Sequence, residues 1–338
     1  MTSLRPDRQP TIYDVAEHAR VSKSLVSLVL QGSPKVSETR RLAVLESIET
    51  LGYRRSSAAA ALAGNRTRTV GVVVEDYRNV WFTDLLDGLQ ESLNEAGYRI
   101  AVSDLQQNSR LDKNPLDGFL SMRAEGIVVA TDPTADMMNV HDVPVVMVGT
   151  HTRRIPGSDV AANNDRAGGR LATRHLLDLG HRHIGHITTT GGAAIDREAG
   201  YDDAMTAARL PAQTAATDVP TEDAAYHATR AYLAAHPDTT ALFASNDTAA
   251  LGVLAAARDA GLRVPADLSV IGYDNSSLAA SHLLQLTTVD ARSIDVGRAA
   301  GLSLVDRLHD AERPPGVALV EPRLVLRKTT ASLHVRRG

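Results

Sequence analysis

The sequence predicts an all-α domain of about 55 residues at the N-terminus, followed by an α/β core of two lobes, each built on a parallel sheet. Three short helical patterns follow one another in the first 55 residues. From about residue 69 onwards, apolar runs of strand length alternate with helical stretches, which is typical of parallel sheets with right-handed crossovers. This alternation passes through two rounds, so two lobes are expected. The 338 residues suffice for two or three domains with cores of their own.

The composition excludes several classes of protein chemistry. The chain has no cysteine, which removes disulfides, thiol nucleophiles, iron–sulfur clusters and cysteine-based zinc sites. Its longest apolar runs, such as residues 143–148, fall far short of the ~18–20 residues that span a bilayer. The N-terminus lacks the apolar segment of a signal peptide. We therefore expect a cytoplasmic protein with no membrane partner.

The net charge of −4 hides an asymmetry along the chain. Residues 1–68 hold 11 Lys and Arg against six Asp and Glu, a net charge of +5. The remaining residues hold 25 basic and 34 acidic side chains, a net charge of −9. A basic segment attached to an acidic body indicates a small nucleic-acid-facing module beside a body that stays away from phosphates.

The three N-terminal helices have recognisable ends. The first is expected to begin at Thr11, where Asp14 completes a capping box, and the second at Ser22. The third runs from an N-cap at Ser37 to Gly52, which supplies a left-handed C-terminal residue. The first two helices are short and are joined by about three residues, which predicts a helix-turn-helix. The apolar face of the third helix is expected to recur at every third residue, through Leu42, Leu45, Ile48 and Leu51.

The second helix is expected to present its N-terminal end outward. The side chains placed there, where they would meet base edges in a major groove, are Lys23, Ser24, Ser27 and Leu28. The alternative is a three-helix domain that serves only protein contacts.

Residues 11–64 resemble the headpiece of the LacI/GalR transcription regulators. The resemblance rests on TIYDVAEHARVSKSLVSLVL and LGYRRSSAAAALAG, against the family patterns TIxDVAxxAGVSxxTVSRVLN and LGYxPNxxARSLA. It implies that Lys23, Ser24 and Leu28 read bases. Leu28 replaces the usual Arg, which removes a guanine contact worth roughly 1–3 kcal/mol of discrimination; Leu25 and Arg20 replace Thr and Gly. The resemblance also implies backbone contacts from Thr11, Ser22, Ser27, Gln31, Ser37 and Arg40.

The segment SSAAAALAGNRT is open to two interpretations. Its alanines favour a helix, yet it is too short to be helical without support, so it is either a plain linker or a helix that folds only on a partner. The resemblance implies a hinge helix that forms when two subunits meet on DNA. Leu62 then matches the leucine that family members insert into the minor groove.

The core sequence predicts a ligand cleft between its lobes. The predicted strands are TVGVVVE, YRIAVSD, GIVVAT and PVVMVGT in the first round and HIGHITT, ALFASND and LSVIGYD in the second, with helices near 82–96 and 248–260. Ligands of parallel sheets bind beyond the carboxyl ends of the strands. An aromatic ring with carboxylates and a guanidinium suits a polyhydroxylated ligand, although Trp81 and Phe82 also fit simple core packing. The candidates at these positions are Asp76, Asn79, Trp81, Phe82, Arg197, Asn246, Asp247 and Asp274.

The resemblance extends over almost the whole core, which is similar to periplasmic sugar-binding proteins. It is carried by GHRHIGHI, DREAGYDDAM, ASNDTAALGVLAAARDAGLRVPADLSVIGYDN and LTTVDA. By the family pattern Arg197, Asp247 and Asp274 are polar ligands of the effector, with Trp81 or Phe82 as its apolar platform. The implied domains are a DNA-binding headpiece (1–55), a hinge (56–68), a core (69–330) and a tail (331–338). The N-lobe is expected at about 69–158 plus 293–320 and the C-lobe at about 162–290 plus 321–330.

Three alternatives compete with a regulator. His181, His183 and His186 invite a metal site, but no carboxylate or fourth histidine lies between them in sequence. Asp247 and Asp274 would allow acid/base chemistry on a glycoside, yet GxSxG, GxxxxGK and GxGxxG are all absent from the sequence. A sugar-binding or transport module would not need the basic headpiece.

The combined expectation is an all-α helix-turn-helix headpiece joined by a hinge helix to an α/β periplasmic-binding-protein-like core of two parallel-sheet lobes. Such a chain would regulate transcription, as a repressor. Its expected partners are double-stranded operator DNA, a sugar-like effector and a second copy of the chain in a homodimer or a higher oligomer. No cofactor, metal or catalytic residue is expected.

Overall fold

The computed structural model describes residues 10–30, 32–53, 66–111, 113–140 and 143–333. By its internal contacts the chain divides into two compact units, residues 1–67 and residues 68–338. Most of the segment expected to form a hinge helix, including Leu62, lies outside the described residues, as does Gln31. The DNA contacts expected of Leu62 and Gln31 therefore stay predictions.

The first unit has the three predicted helices, α1 (Ile12–His18), α2 (Lys23–Leu30) and α3 (Glu38–Leu51). The expected N-terminal starts of α1 and α2 are confirmed. The backbone N–H of Thr11 donates to Asp14 Oδ2 over 2.6 Å, and Ser22 Oγ accepts from the N–H of Leu25 over 3.2 Å. At the end of α3 Gly52 is left-handed, with φ 61°. Ser37 occupies the N-cap of α3, but its side chain makes no capping hydrogen bond.

The predicted apolar face of α3 is wrong at its first two positions. Leu42 and Leu45 are 57% and 48% exposed, whereas Val44 is fully buried with Ile48 and Leu51 packed beside it. A step of three residues falls short of a full helical turn, so a strict three-residue repeat drifts around the helix. Residues spaced by four and then three stay on one face. The core of the unit consists of Val15, Ala16, Val26, Val29, Val36 and Val44.

The described part of the second unit contains two sheets of six strands. In the first sheet all neighbouring strands are parallel, in the order β11-β5-β4-β3-β1-β2. Helices cover both faces, because the buried strands are apolar on both sides. The strands are β1 (Thr69–Val74), β2 (Arg99–Asp104), β3 (Gly126–Ala130), β4 (Val145–Val148), β5 (Asp159–Asn163) and β11 (Val317–Val320); the helices are α4 (Trp81–Glu95), α5 (Leu105–Arg110), α6 (Pro115–Ser121), the 3-10 turn Met137–Asn139 and α12 (Ser293–His309).

The second sheet has the order β12-β10-β9-β8-β6-β7, and its neighbours are parallel except for the antiparallel pair β10 and β12. All seven strands that the core sequence predicts are present, and the five strands β5, β7, β10, β11 and β12 were not among them. The strands are β6 (Ile184–Thr189), β7 (Gln213–Thr217), β8 (Ala241–Ala244), β9 (Ser269–Asp274), β10 (Thr288–Asp290) and β12 (Arg323–Val325); the helices are α7 (Asp165–Asp178), α8 (Gly192–Ala207), α9 (Glu222–Ala235), α10 (Asp247–Asp259) and α11 (Ser277–Ala280).

The chain passes between the two sheets three times, after β5, after β10 and after β11. The first sheet keeps the chain to Asn163, slightly beyond the expected end of the N-lobe. Asn164 Nδ2 donates to Glu321 Oε1 over 3.0 Å, which ties the first crossing to the third. Arg292, at the second crossing, has a left-handed backbone with φ 55°. Three connections that lie close together are the arrangement expected of a hinge between two lobes.

Three helix pairs pack closely enough that their contacts depend on glycine. A Cβ added to Gly88 of α4 would stand 1.9 Å from the backbone oxygen of Ile294 in α12. A Cβ on Gly200 of α8 would stand 2.1 Å from the backbone oxygen of Arg166 in α7. The third pair, α9 with α10, has the same relationship at Gly252. Within the described ranges, no helix has the length and apolar character needed to cross a bilayer.

Candidate functional site

A cavity of about 150 Å³ lies between the two lobes, at the carboxyl ends of strands from both sheets. Strands β1, β3, β4 and β5 lead into its first wall, and β6, β8 and β9 lead into the second. The volume lies below the ~300–1,000 Å³ typical of drug-sized ligands, so the cavity suits a small molecule. Six of the eight predicted effector residues line it: Asn79, Trp81, Phe82, Arg197, Asn246 and Asp274.

Two of the predicted effector residues, Asp76 and Asp247, are not among the residues that line this cavity. Asp76 Oδ2 accepts from Arg78 Nη2 over 2.6 Å beside the first strand. Asp247 is 1% exposed and accepts from Ser276 N–H over 2.7 Å and Thr288 Oγ1 over 2.6 Å. It begins α10, and its carboxylate points back into the lobe. Burial raises the pKa of Asp247 to about 6, although these hydrogen bonds lower it.

Arg197 is the centre of the polar network in the cleft. Its Nε donates to Asp165 Oδ1 and its Nη1 donates to the backbone oxygen of Ser245, both over 2.7 Å. The guanidinium carbon stands 3.7 Å from the centre of the Tyr273 ring. Burial alone would lower the pKa of Arg197, but the carboxylates of Asp165 and Asp274 raise it above its usual value. Arg197 is therefore a fixed cation whose donors are already directed within the protein.

The network connects the two lobes. Thr150, which follows β4 of the first lobe, donates from Oγ1 to Asp165 Oδ2 over 2.8 Å. Asn163, at the end of β5, donates from Nδ2 to Asp165 Oδ1 over 3.0 Å and to the hydroxyl of Tyr273 over 2.9 Å. Tyr273 belongs to β9 of the second lobe. The hydrogen bonds from Thr150 to Asp165 and from Asn163 to Tyr273 therefore depend on the relative position of the lobes.

Two polar atoms at the wall of the cavity have no hydrogen-bond partner among the described residues, Asp274 Oδ1 and Trp81 Nε1. Asp274 Oδ1 stands 3.4 Å from Arg197 Nη2, an ion pair without hydrogen-bond geometry. Burial raises the pKa of Asp274 well above its usual range, Arg197 opposes this, and Asp247 adds to it. Its backbone is also strained, with φ 103°. An acceptor and a donor are thus held at the cavity without internal partners, as a hydroxylated ligand would require.

Several polar residues of the cavity were missed by the sequence interpretation. Each follows the carboxyl end of a strand, so applying the same rule to every strand would have found most of them. Asp165 was missed because β5 was not predicted. Burial, Asp132 and Asp76 raise the pKa of Glu75, and burial lowers the pKa of His151. The missed residues are Glu75, Thr131, Asp132, Thr150, His151, Asn163, Asp165, Thr189, Thr190 and Ser245.

The lobes touch directly at the mouth of the cavity. A Cβ added to Gly192, the first residue of α8, would stand 2.6 Å from the backbone oxygen of Thr150 and 2.7 Å from Cα of His151. His151 is itself held by Val148, whose carbonyl oxygen lies 2.9 Å from Nε2. The lobes are therefore closed, and only glycine fits at the contact.

The histidines considered as metal ligands have separate surroundings. His181 is buried against Thr240 and Ser269, with ring nitrogens 2.9 and 3.1 Å from their hydroxyls. His183 is exposed, and His186 is fully buried and stacked on Phe243. Among the residues that the structure describes, no group of three His, Asp or Glu side chains is arranged to hold a metal ion.

In the first unit, α2 presents the predicted reading positions to solvent. Lys23, Ser24 and Leu28 are exposed, and Ser27 is half-buried. Lys23 Nζ donates to the hydroxyl of Tyr13 over 3.2 Å and lies 4.8 Å from the centre of its ring. The described residues expected to contact the DNA backbone are exposed or half-buried: Thr11, Ser22, Ser37 and Arg40.

Both units match known families. Residues 11–56 match the bacterial regulatory proteins of the lacI family, and residues 173–330 match the periplasmic binding protein-like domain. The chain is 33% identical to the HTH-type transcriptional repressor PurR of Vibrio cholerae serotype O1 (strain M66-2), over 96% of this chain and 98% of the relative.

Two solved structures of LacI-family regulators are similar to the core. One, from Corynebacterium glutamicum, is 41% identical with a TM-score of 0.69 and covers 79% of this chain and 100% of its own. The other, from Enterococcus faecium with bound ribose, is 25% identical with a TM-score of 0.71 and the same two coverages, 79% and 100%. A helix-turn-helix unit, two parallel-sheet lobes around a ligand-sized cavity and a relative that matches nearly end to end lead to one conclusion. The chain belongs to the LacI family and is a DNA-binding transcriptional regulator.

Proposed function

We propose that the chain is a repressor that binds a pseudo-palindromic operator as a homodimer and is controlled by a small, sugar-like effector in the cleft. Each subunit would place α2 in a major groove and Leu62 in the minor groove between the half-sites. The naming of PurR as a repressor supports the repressor role. A regulator of this kind meets its operator in the cytoplasm. The family relationship also favours ligand binding over catalysis in the cleft.

The proposed effector class rests on the unpartnered Asp274 Oδ1 beside the aromatic wall of Trp81. A sugar hydroxyl would donate to Asp274, and a sugar oxygen would accept from Trp81 Nε1. Asn246 lies beside them, although its Oδ1 already accepts from Ala249 N–H over 2.7 Å. The ribose-bound relative from Enterococcus faecium supports the same class. The small volume favours a monosaccharide over a chain of sugars.

The proposed control works through the relative position of the lobes. A ligand that completes the network around Arg197 favours the closed arrangement, in which Gly192 meets Thr150. Rotation about the three crossings would change the spacing of the two hinge segments of a dimer. Coupling of this kind is typically worth 1–3 kcal/mol, a change of about 5–150-fold in operator affinity.

The test is a binding titration of the full-length protein on duplex DNA from upstream of its own gene. Fluorescence anisotropy at several salt concentrations should give a specific complex whose affinity falls steeply with salt. A panel of neutral monosaccharides should contain one that changes this affinity. Specific binding with no response to any sugar would contradict the effector class but not the regulator.

The role of Leu62 needs its own measurement. Leu62→Ala should weaken operator binding and leave sugar binding, measured by calorimetry, unchanged. Leu333→Ala, at a partly exposed leucine of the C-terminal segment, is the matched control. Equal operator affinity of the wild type and Leu62→Ala would reject minor-groove insertion.

A further inference from the structure

The exposed face of α2 is poor in side chains that recognise purines. Arginine or lysine hydrogen-bonds to guanine, and asparagine or glutamine hydrogen-bonds to adenine. Of these four residue types the helix, KSLVSLVL, contains only Lys23. The Nζ of Lys23 is held toward α1 by the hydroxyl of Tyr13. Contacts of another kind must therefore contribute to sequence discrimination by α2.

Leu28 is the one large apolar side chain of α2 that faces solvent. It is 38% exposed, whereas Val26 and Val29 are 0% and 6% exposed. Ser24 lies one turn earlier on the same face and is also exposed. A single exposed leucine is ordinary on a protein surface. On this helix, however, it stands between the polar reading positions, where the opposing surface would be the floor of a major groove.

We infer that Leu28 reads the C5-methyl group of a thymine in each operator half-site, an inference that rests on the proposed DNA-binding role of α2. The thymine methyl is the apolar group that base pairs present in the major groove. Packing Leu28 against it removes apolar surface of both partners from water. Burial of one such group contributes about 0.8 kcal/mol, about fourfold in affinity. Two half-sites together give about fifteenfold.

The same side chain disfavours cytosine and adenine at that position. A cytosine at this position presents its N4 amino group, and an adenine presents its N6 amino group. The isobutyl group of Leu28 offers no acceptor to either donor and would displace the water that satisfies it. An unsatisfied donor is costly, so Leu28 selects both for thymine and against its competitors.

The first experiment is a selection from a random-sequence duplex pool with the full-length protein at fixed salt. The enriched half-site should contain an invariant thymine, and Leu28→Arg should enrich guanine at that position instead. Each thymine of the wild-type site is then replaced in turn by deoxyuridine, which lacks only the methyl group. One thymine per half-site should lose about fourfold in affinity, and the pair together about fifteenfold.

The second experiment assigns the lost methyl contact to Leu28. Leu28→Ala should bind the thymine site more weakly and show no further loss with deoxyuridine. Leu42→Ala, which changes an exposed leucine on α3, should respond to deoxyuridine as the wild type does. Because Leu28 and Leu42 are both exposed, neither variant should lose its fold, and circular dichroism checks this.

The outcomes separate the inference from the function on which it rests. If wild type binds a specific sequence but no deoxyuridine weakens it, or if the loss persists in Leu28→Ala, the inference is wrong and the regulator stands. If wild type enriches no sequence at all, the proposed operator binding fails and the inference fails with it.

Discussion

Arg197 and Asp165 form an ion pair of 2.7 Å between Nε and Oδ1, with side chains only 11% and 1% exposed. Asp165 begins α7 directly after the chain has crossed from the first sheet to the second, and Arg197 belongs to α8. Thr150 of the first lobe donates to the other oxygen of Asp165. The pair therefore joins the first crossing, the cleft and a loop of the opposite lobe.

Removing Arg197 should destabilise the core. Arg197→Met leaves the buried carboxylates of Asp165 and Asp274 without their cation, and breaking a buried ion pair in this way typically costs about 3–5 kcal/mol. Urea unfolding of the core transition measures the loss. Arg166→Met is the control, because Arg166 and Asp203 form an ion pair at the surface, with side chains 56% and 33% exposed, and such a pair contributes little. A similar loss in both variants would contradict the structural role of Arg197.

Replacing Asp274, in contrast to Arg197, should not destabilise the core. Burial and the neighbouring carboxylates disfavour its charge, and its backbone φ of 103° is tolerated better by asparagine. Asp274→Asn should therefore unfold at the same or a higher urea concentration than wild type. The same variant should lose the response of operator binding to the effector, because the carboxylate accepts the ligand. A variant that is both destabilised and fully responsive would argue against this assignment.

Closure of the cleft should depend on Gly192. Gly192→Ala would place its Cβ 2.6 Å from the backbone oxygen of Thr150, so the lobes must separate to admit it. We expect at least tenfold weaker effector binding by calorimetry, with operator binding in the absence of effector retained. Gly118→Ala is the matched control, since a Cβ there meets nothing within 4 Å. Unchanged effector affinity in Gly192→Ala would show that the closed contact is not needed for binding.

The sequence predicted the parts of the fold whose signal is local. The strands β1, β3, β4, β6, β8 and β9 are almost wholly buried and carry consecutive apolar residues, which a local sequence pattern can identify. The strand β7 alternates half-buried and exposed residues and contains only alanine as apolar residue, and β12 is three residues long. These edge strands are specified by their neighbours in the sheet, which a local pattern does not contain.

For a related reason, the sequence predicted only part of the candidate site. Arg197 and Asp274 were identifiable because a charged residue after a strand or at a helix start is conspicuous. Asp247 has the same local signature, yet Ser276 and Thr288 bind its carboxylate inside the lobe. Which of two such carboxylates faces the cleft depends on contacts between segments about 30–40 residues apart. No spacing rule along the chain contains that information.

His186 should make the core sensitive to acid. Burial lowers the pKa of His186 from 6.5 to about 4, although its hydrogen bond to the Phe243 carbonyl raises it. The unfolded chain therefore binds a proton between pH 6.5 and 4 that the folded chain does not. Above pH 6.5 His186 is neutral in both states and does not change the free energy of unfolding. As the pH falls from 6.5 to 4, the free energy of unfolding decreases by about 3 kcal/mol in total.

The measurement is urea unfolding of wild type, His186→Gln and His183→Gln between pH 7 and pH 4. His186→Gln should be less stable than wild type at pH 7, because its packing on Phe243 is lost. The difference in free energy of unfolding between wild type and His186→Gln should shrink by about 3 kcal/mol toward pH 4. His183→Gln, at an exposed position, should follow wild type throughout. A constant difference across the range would mean that His186 does not titrate in this way.

Gly200 should control both stability and the position of Arg197, which lies one turn earlier on α8. A Cβ on Gly200 would stand 2.1 Å from the backbone oxygen of Arg166 and 2.7 Å from the backbone nitrogen of Arg170, so α8 must move away from α7. Overpacking of this kind typically costs 1–3 kcal/mol. Because α7 carries Asp165 and α8 carries Arg197, the same movement lengthens their ion pair. Gly200→Ala should therefore both lower the urea midpoint and weaken effector binding. Gly118→Ala, the control, should change neither. A destabilised Gly200→Ala with wild-type effector affinity would show that the cleft tolerates the displacement of α8.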